Sequence, residues 1–154
     1  MDLVCANKYR TNFMMSAHYI AFGISGLTLF ALPDLLGRKK SMTLNYFVYQ
    51  FAQFLILLVP TYYARLTGYI LFGLSQMKNS IAYVWGKELV PERNGNMIMV
   101  TLTSFDSGTL GFLCLYFVCI SRDWFPIYCV MTALSTISFL TLTFYFPETP
   151  IWLL

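Results

Sequence analysis

Two ionisable residues stand where long apolar runs should exclude them. Lys78 interrupts the stretch 66–86, and Asp106 interrupts the stretch 97–120. A charge in such a setting is costly, so it is held by a partner, by water or by a solute. An ammonium and a carboxylate can do two things there. As a buried ion pair they tie helices together; lining an aqueous cavity, they handle a proton or a polar solute. Other polar side chains are set in the same runs. His18, the single histidine, lies in the first run and reads as an interfacial or packed ring. Asn45, Gln50 and Gln53 give the second run a polar stripe, suited to interhelical hydrogen bonds or to a wet wall.

Hydrolytic and metal chemistry find no support. The chain has one His and no G-x-S-x-G, P-loop or H-E-x-x-H pattern, so neither an enzyme nor a cofactor is expected. Cys114, Cys119 and Cys129 lie inside apolar runs without C-x-x-C spacing and read as small hydrophobes in packed helices. Cys5 sits in a polar segment with no evident partner.

The elements that must position Lys78 and Asp106 follow from composition. The chain is 58% hydrophobic and only 11% charged, with a mean hydropathy of +0.63. A soluble domain carries about 25% charged residues, so too few charges are present to cover a water-facing surface. The net charge of +3 is small and the basic residues are scattered, which argues against nucleic acid as a partner. The opening residues are polar and mixed, unlike a cleavable secretory signal.

Five apolar runs stand out, at 13–33, 42–59, 66–86, 97–120 and 125–146. Each has about the 17–25 residues that cross a hydrocarbon core as a helix. Membrane strands would be shorter and would alternate polar with apolar. The expected fold is therefore an all-α, polytopic membrane bundle of five spans in one domain, with the lipid bilayer as its first partner. Short joints at 34–41, 60–65, 87–96 and 121–124 make successive spans antiparallel. At ~1.5 Å per residue, Lys78 and Asp106 then fall at nearly the same depth, roughly 14–18 Å in. The small-residue pairs Gly23/Gly26, Ser104/Gly108 and Ser107/Gly111 read as helix-packing points. Basic residues divide almost evenly between the two sides, and the Arg38-Lys39-Lys40 cluster favours the first joint inside with the N-terminus outside.

Three joints together resemble the major-facilitator transporters. Asp34-Leu-Leu-Gly37-Arg38-Lys39-Lys40 is similar to the loop after that family's second helix, G-x-x-x-D-R-x-G-R-R/K, with Phe30 in place of its Gly and Leu35 in place of its first Arg. The joint from Glu88 through Arg93 to Gly95 resembles the loop after its fourth helix. Pro147-Glu148-Thr149-Pro150-Ile151-Trp152-Leu153 is similar to the PESPRWL signature of sugar and organic-cation porters, with Ile151 in place of Arg. Asp2-Leu-Val-Cys5, Arg122-Asp-Trp124 and Tyr83 five residues before Glu88 resemble the organic-cation and organic-anion branch.

The resemblance covers helices two to six of twelve. It implies transport of a small organic ion or sugar, with Lys78, Tyr83 and Asp106 lining the cavity. It also implies a cytoplasmic latch through Asp34, Gly37, Arg38, Lys39, Glu88, Arg93 and Glu148, from which Leu35 and Ile151 remove two cations. The partner it implies is a second half or another membrane chain. The alternative expectation is a non-transporting structural or accessory subunit of a larger membrane complex, derived from a trimmed carrier.

Overall fold

The computed structural model describes residues 8–29, 32–88 and 90–145, and every regular element among them is an α-helix. In chain order these are α1 (Lys8–Thr28), α2 (Leu32–Leu36), α3 (Arg38–Leu58), α4 (Tyr62–Leu74), α5 (Met77–Glu88), α6 (Glu92–Cys119) and α7 (Trp124–Tyr145). Each apolar run falls on a helix, but two boundaries differ from the sequence expectation. The first run divides into α1 and the short α2, which carries Pro33 in its first turn, where a missing N–H is harmless.

The second difference is a break inside the third run, at Ser75 and Gln76. A helix end leaves four carbonyls without intrahelical donors, and here all four are met. Ser75 N–H donates to Leu71 O and Gln76 N–H to Gly73 O. Ser75 Oγ donates to Phe72 O at 2.9 Å, and Ser25 Oγ of α1 donates to Leu74 O at 2.6 Å. Both serines are buried. Ser25→Ala leaves the Leu74 carbonyl without its donor, and a loss of about 1 kcal/mol is expected. The thermal midpoint of purified protein checks this, and an unchanged midpoint would mean that another donor reaches Leu74.

The centre of the bundle is α3, which packs against α4, α5 and α7, while α1 lies along α4 and α6 is held chiefly by α5. A small apolar core gathers Met42, Ile81, Trp85 and Leu142, with Tyr46 against it. The seam between α3 and α7 is polar. Gln50 Nε2 donates to Thr136 Oγ1 at 2.7 Å, and Ser135 Oγ lies 2.7 Å from Gln53 Oε1 and 3.0 Å from Gln50 Oε1. The polar stripe of the second run is thus interhelical bonding, and Asn45 donates within its own helix to Ser41 O.

Beside the small apolar core, polar side chains are buried and many large apolar ones are exposed. Ser41, Asn45, Gln50 and Gln53 are buried, whereas Leu27, Phe47, Phe105 and Phe144 are exposed. Two helical segments, Arg93–Cys119 with 27 residues and Trp124–Tyr145 with 22, are long and apolar enough to cross a membrane. At ~1.5 Å per residue they reach roughly 40 and 33 Å. The most apolar stretch of the first is 0% buried and that of the second 17%, unlike the core helix of a soluble domain.

Close helix approach occurs at glycines other than those the spacing suggests. A Cβ on Gly73 would collide with the His18 backbone carbonyl, and one on Gly68 would lie 3.3 Å from Ala52 O. A Cβ on Gly23, Gly26, Gly108 or Gly111 meets nothing within 4 Å, so these residues are not packing points among the described residues. Spacing reveals that a helix face is small but not which helix faces it. Cys114 and Cys119 likewise lie exposed on α6 rather than packed, and Cys129 is half-buried.

Candidate functional site

At one end of the bundle, α2, the start of α3 and the end of α5 meet. Gly37 joins α2 to α3 with φ of 93°, a left-handed value that favours glycine, and this turn sets Arg38 at the first position of α3. Arg38 Nη1 lies 2.9 Å from Asp34 Oδ1, and Nη2 donates to Glu88 Oε1 at 3.0 Å. One guanidinium therefore joins two joints fifty residues apart in sequence. Glu88 Oε2 is buried without a hydrogen-bond partner among the described residues. Lys39 is half-buried on α3 and Arg93 is exposed at the start of α6. Glu148 lies outside the described residues.

Midway along the bundle, just beyond the α4–α5 break, Lys78 is only 7% exposed. Its Nζ rests 3.9 Å from the centre of the Tyr49 ring and 5.8 Å from that of Tyr46, both on α3. Its hydrogen bond is to Asn79 Oδ1, at 3.3 Å. A desolvated ammonium over an aromatic face gains about 2 kcal/mol, so α3 supplies much of what this cation loses by burial. Asp106, by contrast, is exposed on α6 and accepts a hydrogen bond from the Tyr83 hydroxyl of α5.

The matched depths of Lys78 and Asp106 thus do not make an ion pair. The reason is angular: at ~100° per residue, positions 78 and 83 point about 140° apart around α5. Lys78 turns inward to α3, while Tyr83 turns toward α6 and engages Asp106. Of the three expected cavity residues, two come together and the third stands apart.

No protein-family model, curated protein or solved structure matches the chain.

His18 is a packed ring. Its Nδ1 lies 3.3 Å from Tyr69 O and its ring 5.4 Å from that of Phe72, fastening α1 to α4. Away from the Arg38 end, cations sit over aromatic rings. Arg10 lies 5.5 Å from the Tyr62 ring centre and Arg65 5.5 Å from that of Trp124. Sequence reasoning passed over Tyr46 and Tyr49. Their three-residue spacing, on the helix that carries Asn45, Gln50 and Gln53, was the available signal for an inward cation-binding face.

Proposed function

We propose that the chain is a multi-pass membrane protein of five helical spans. In this reading it forms part of a major-facilitator-type carrier that moves a small organic ion or sugar. The observation that carries the reading is the Arg38 bridge from Asp34 to Glu88. The two joints it links are those that resemble the family's paired loops, and a latch needs its charges in contact at one face of the bundle. With the Arg38-Lys39-Lys40 cluster inside and these joints matching the family's cytoplasmic loops, that face is read as the cytoplasmic one. The many exposed large apolar side chains, together with the buried and hydrogen-bonded polar ones, support lipid as the solvent.

Within the carrier, Tyr83 and Asp106 present a phenol and a carboxylate to the solute, and Lys78 holds a positive charge behind them. Uptake into proteoliposomes holding the protein in its native assembly tests the assignment. Asp106→Ala and Lys78→Ala are each expected to lower uptake about tenfold, the equivalent of one charge-assisted hydrogen bond. Wild-type uptake by both variants would remove these residues from the solute path.

A second reading, a non-transporting subunit of a larger membrane complex, is favoured by α6. That helix packs chiefly on α5, which leaves most of its circumference for another chain. Gentle purification from the native membrane separates the two readings: stoichiometric partner proteins and no uptake would favour the subunit.

A further inference from the structure

The first three residues of α3 are Arg38, Lys39 and Lys40, and Arg38 carries the bridge to Asp34 and Glu88. Successive helical residues project about 100° apart, so the two lysines leave α3 in other directions. Both border a groove between the start of α3 and the end of α7. Its volume is about 620 Å³, within the ~300–1,000 Å³ of ligand clefts.

The two walls run antiparallel. Tyr46 stacks on Phe139 and Gln50 donates to Thr136, so descending α3 means moving back along α7. Below the lysines the α3 wall is Thr43, Leu44 and Phe47, and the α7 wall is Thr143 and then Phe139. Lys40 to Phe47 spans about 10 Å of helix. Leu44 and Phe47 are exposed, and Thr143 Oγ1 is engaged by Phe139 O of its own helix. The groove therefore has cations at one end and apolar surface beyond them. No carboxylate is among the described residues that line it, and Asp34 and Glu88, at this end of the bundle, are held by Arg38.

We propose that this groove binds one anionic glycerophospholipid. Its headgroup phosphate lies at Lys39 and Lys40, and an acyl chain lies along Leu44, Phe47 and Phe139. Charge and shape together fix the occupant. A soluble anion would leave the apolar walls uncovered, and a neutral lipid would leave two positive charges unmatched. A basic pocket between membrane helices is a headgroup site for a lipid of net negative charge. Lys39 has an interaction of its own within the chain, but an ammonium carries three N–H donors. Lys40 is exposed at the groove mouth. The proposal rests on the reading of the chain as a membrane protein and is independent of transport.

The test begins with purified full-length protein reconstituted into phosphatidylcholine vesicles and floated on a density gradient. Protein that does not float removes the membrane reading, and the lipid site with it. Protein that floats is then taken into detergent and mixed separately with dioleoyl phosphatidylglycerol, dioleoyl phosphatidylcholine and glycerol 3-phosphate. Bound ligand is counted by native mass spectrometry.

Wild-type protein is expected to retain phosphatidylglycerol about twentyfold better than phosphatidylcholine, and not to retain glycerol 3-phosphate. Lys40→Gln lowers that preference about fivefold, the effect of one basic residue near an anionic headgroup. Lys39→Gln with Lys40→Gln removes it, and Lys40→Gln carries the test if the double variant fails to fold. Lys87→Gln deletes an exposed charge of α5 at the same end but outside the groove, and leaves the preference unchanged. Equal retention of the two lipids overturns the proposal while the membrane reading stands. So does a preference that survives Lys40→Gln, or one that Lys87→Gln lowers as much. Glycerol 3-phosphate retained as well as phosphatidylglycerol overturns it too, because the apolar walls then play no part.

Discussion

Arg38→Ala is expected to lower stability by about 2–3 kcal/mol, read as the thermal midpoint of purified protein. Removing one member of a fully buried ion pair costs ~3–5 kcal/mol, because the remaining charge is stranded. Arg38 and Glu88 are mostly but not wholly buried, with side-chain exposures of 24% and 16%, so the loss falls below that range. Glu88 is the group stranded, since its Oε2 is already buried without a partner and Oε1 then loses its donor. Asp34, at 65% exposure, returns to water at little cost. Adding Glu88→Ala to Arg38→Ala should therefore recover more than half of the loss. Simple additivity of the two single effects would show that the pair is not an energetic unit.

Gly73→Val should be at least as damaging, at about 3 kcal/mol or more. The added Cβ meets the backbone carbonyl of His18, and it lies 3.0 Å from Ala21 Cβ. Neither neighbour is the end of a flexible side chain, so α1 must move away from α4. That movement also breaks the contacts of His18 with Tyr69 O and of Ser25 with Leu74 O. Gly73→Ala carries the same collision with less bulk, and about 2 kcal/mol is expected. Gly108→Ala is the control, because a Cβ there meets open space. A Gly73→Ala midpoint equal to that of Gly108→Ala would rule out the close approach of α1 and α4.

Much of the helical framework was legible because apolar runs of helix length separated by short polar joints leave few alternatives. The bridge from Asp34 through Arg38 to Glu88 was legible for another reason. Its residues lie in joints, where a charge must be solvated or paired, and the joint motifs point to pairing. What was illegible concerns direction and local geometry. Equal depth put Lys78 beside Asp106, but depth carries no angle, and the turn around α5 sends the two toward different helices. Small residues at helical spacing suggested Gly23, Gly26, Gly108 and Gly111 as contacts. The contacts lie instead at Gly68 and Gly73, single glycines whose meaning depends on the facing backbone.

The break at Ser75 was hidden because no proline marks it. It is held by four separate donors, one of them Ser25, supplied by a helix fifty residues earlier. That dependence has a consequence for the order of assembly. Leu74 O gains its side-chain donor only when α1 lies beside α4, so in a lipid setting, as proposed, the turn is expected to close after the two helices have docked. Before docking, one unbroken helix over the third run would satisfy these carbonyls without Ser25, and Lys78 is then expected not to face Tyr49. If the chain spans a membrane as proposed, the bent geometry that buries this cation is expected to be acquired after α1 and α4 have docked. In a nascent chain, hydrogen exchange at the amides of residues 75–79 would report that moment.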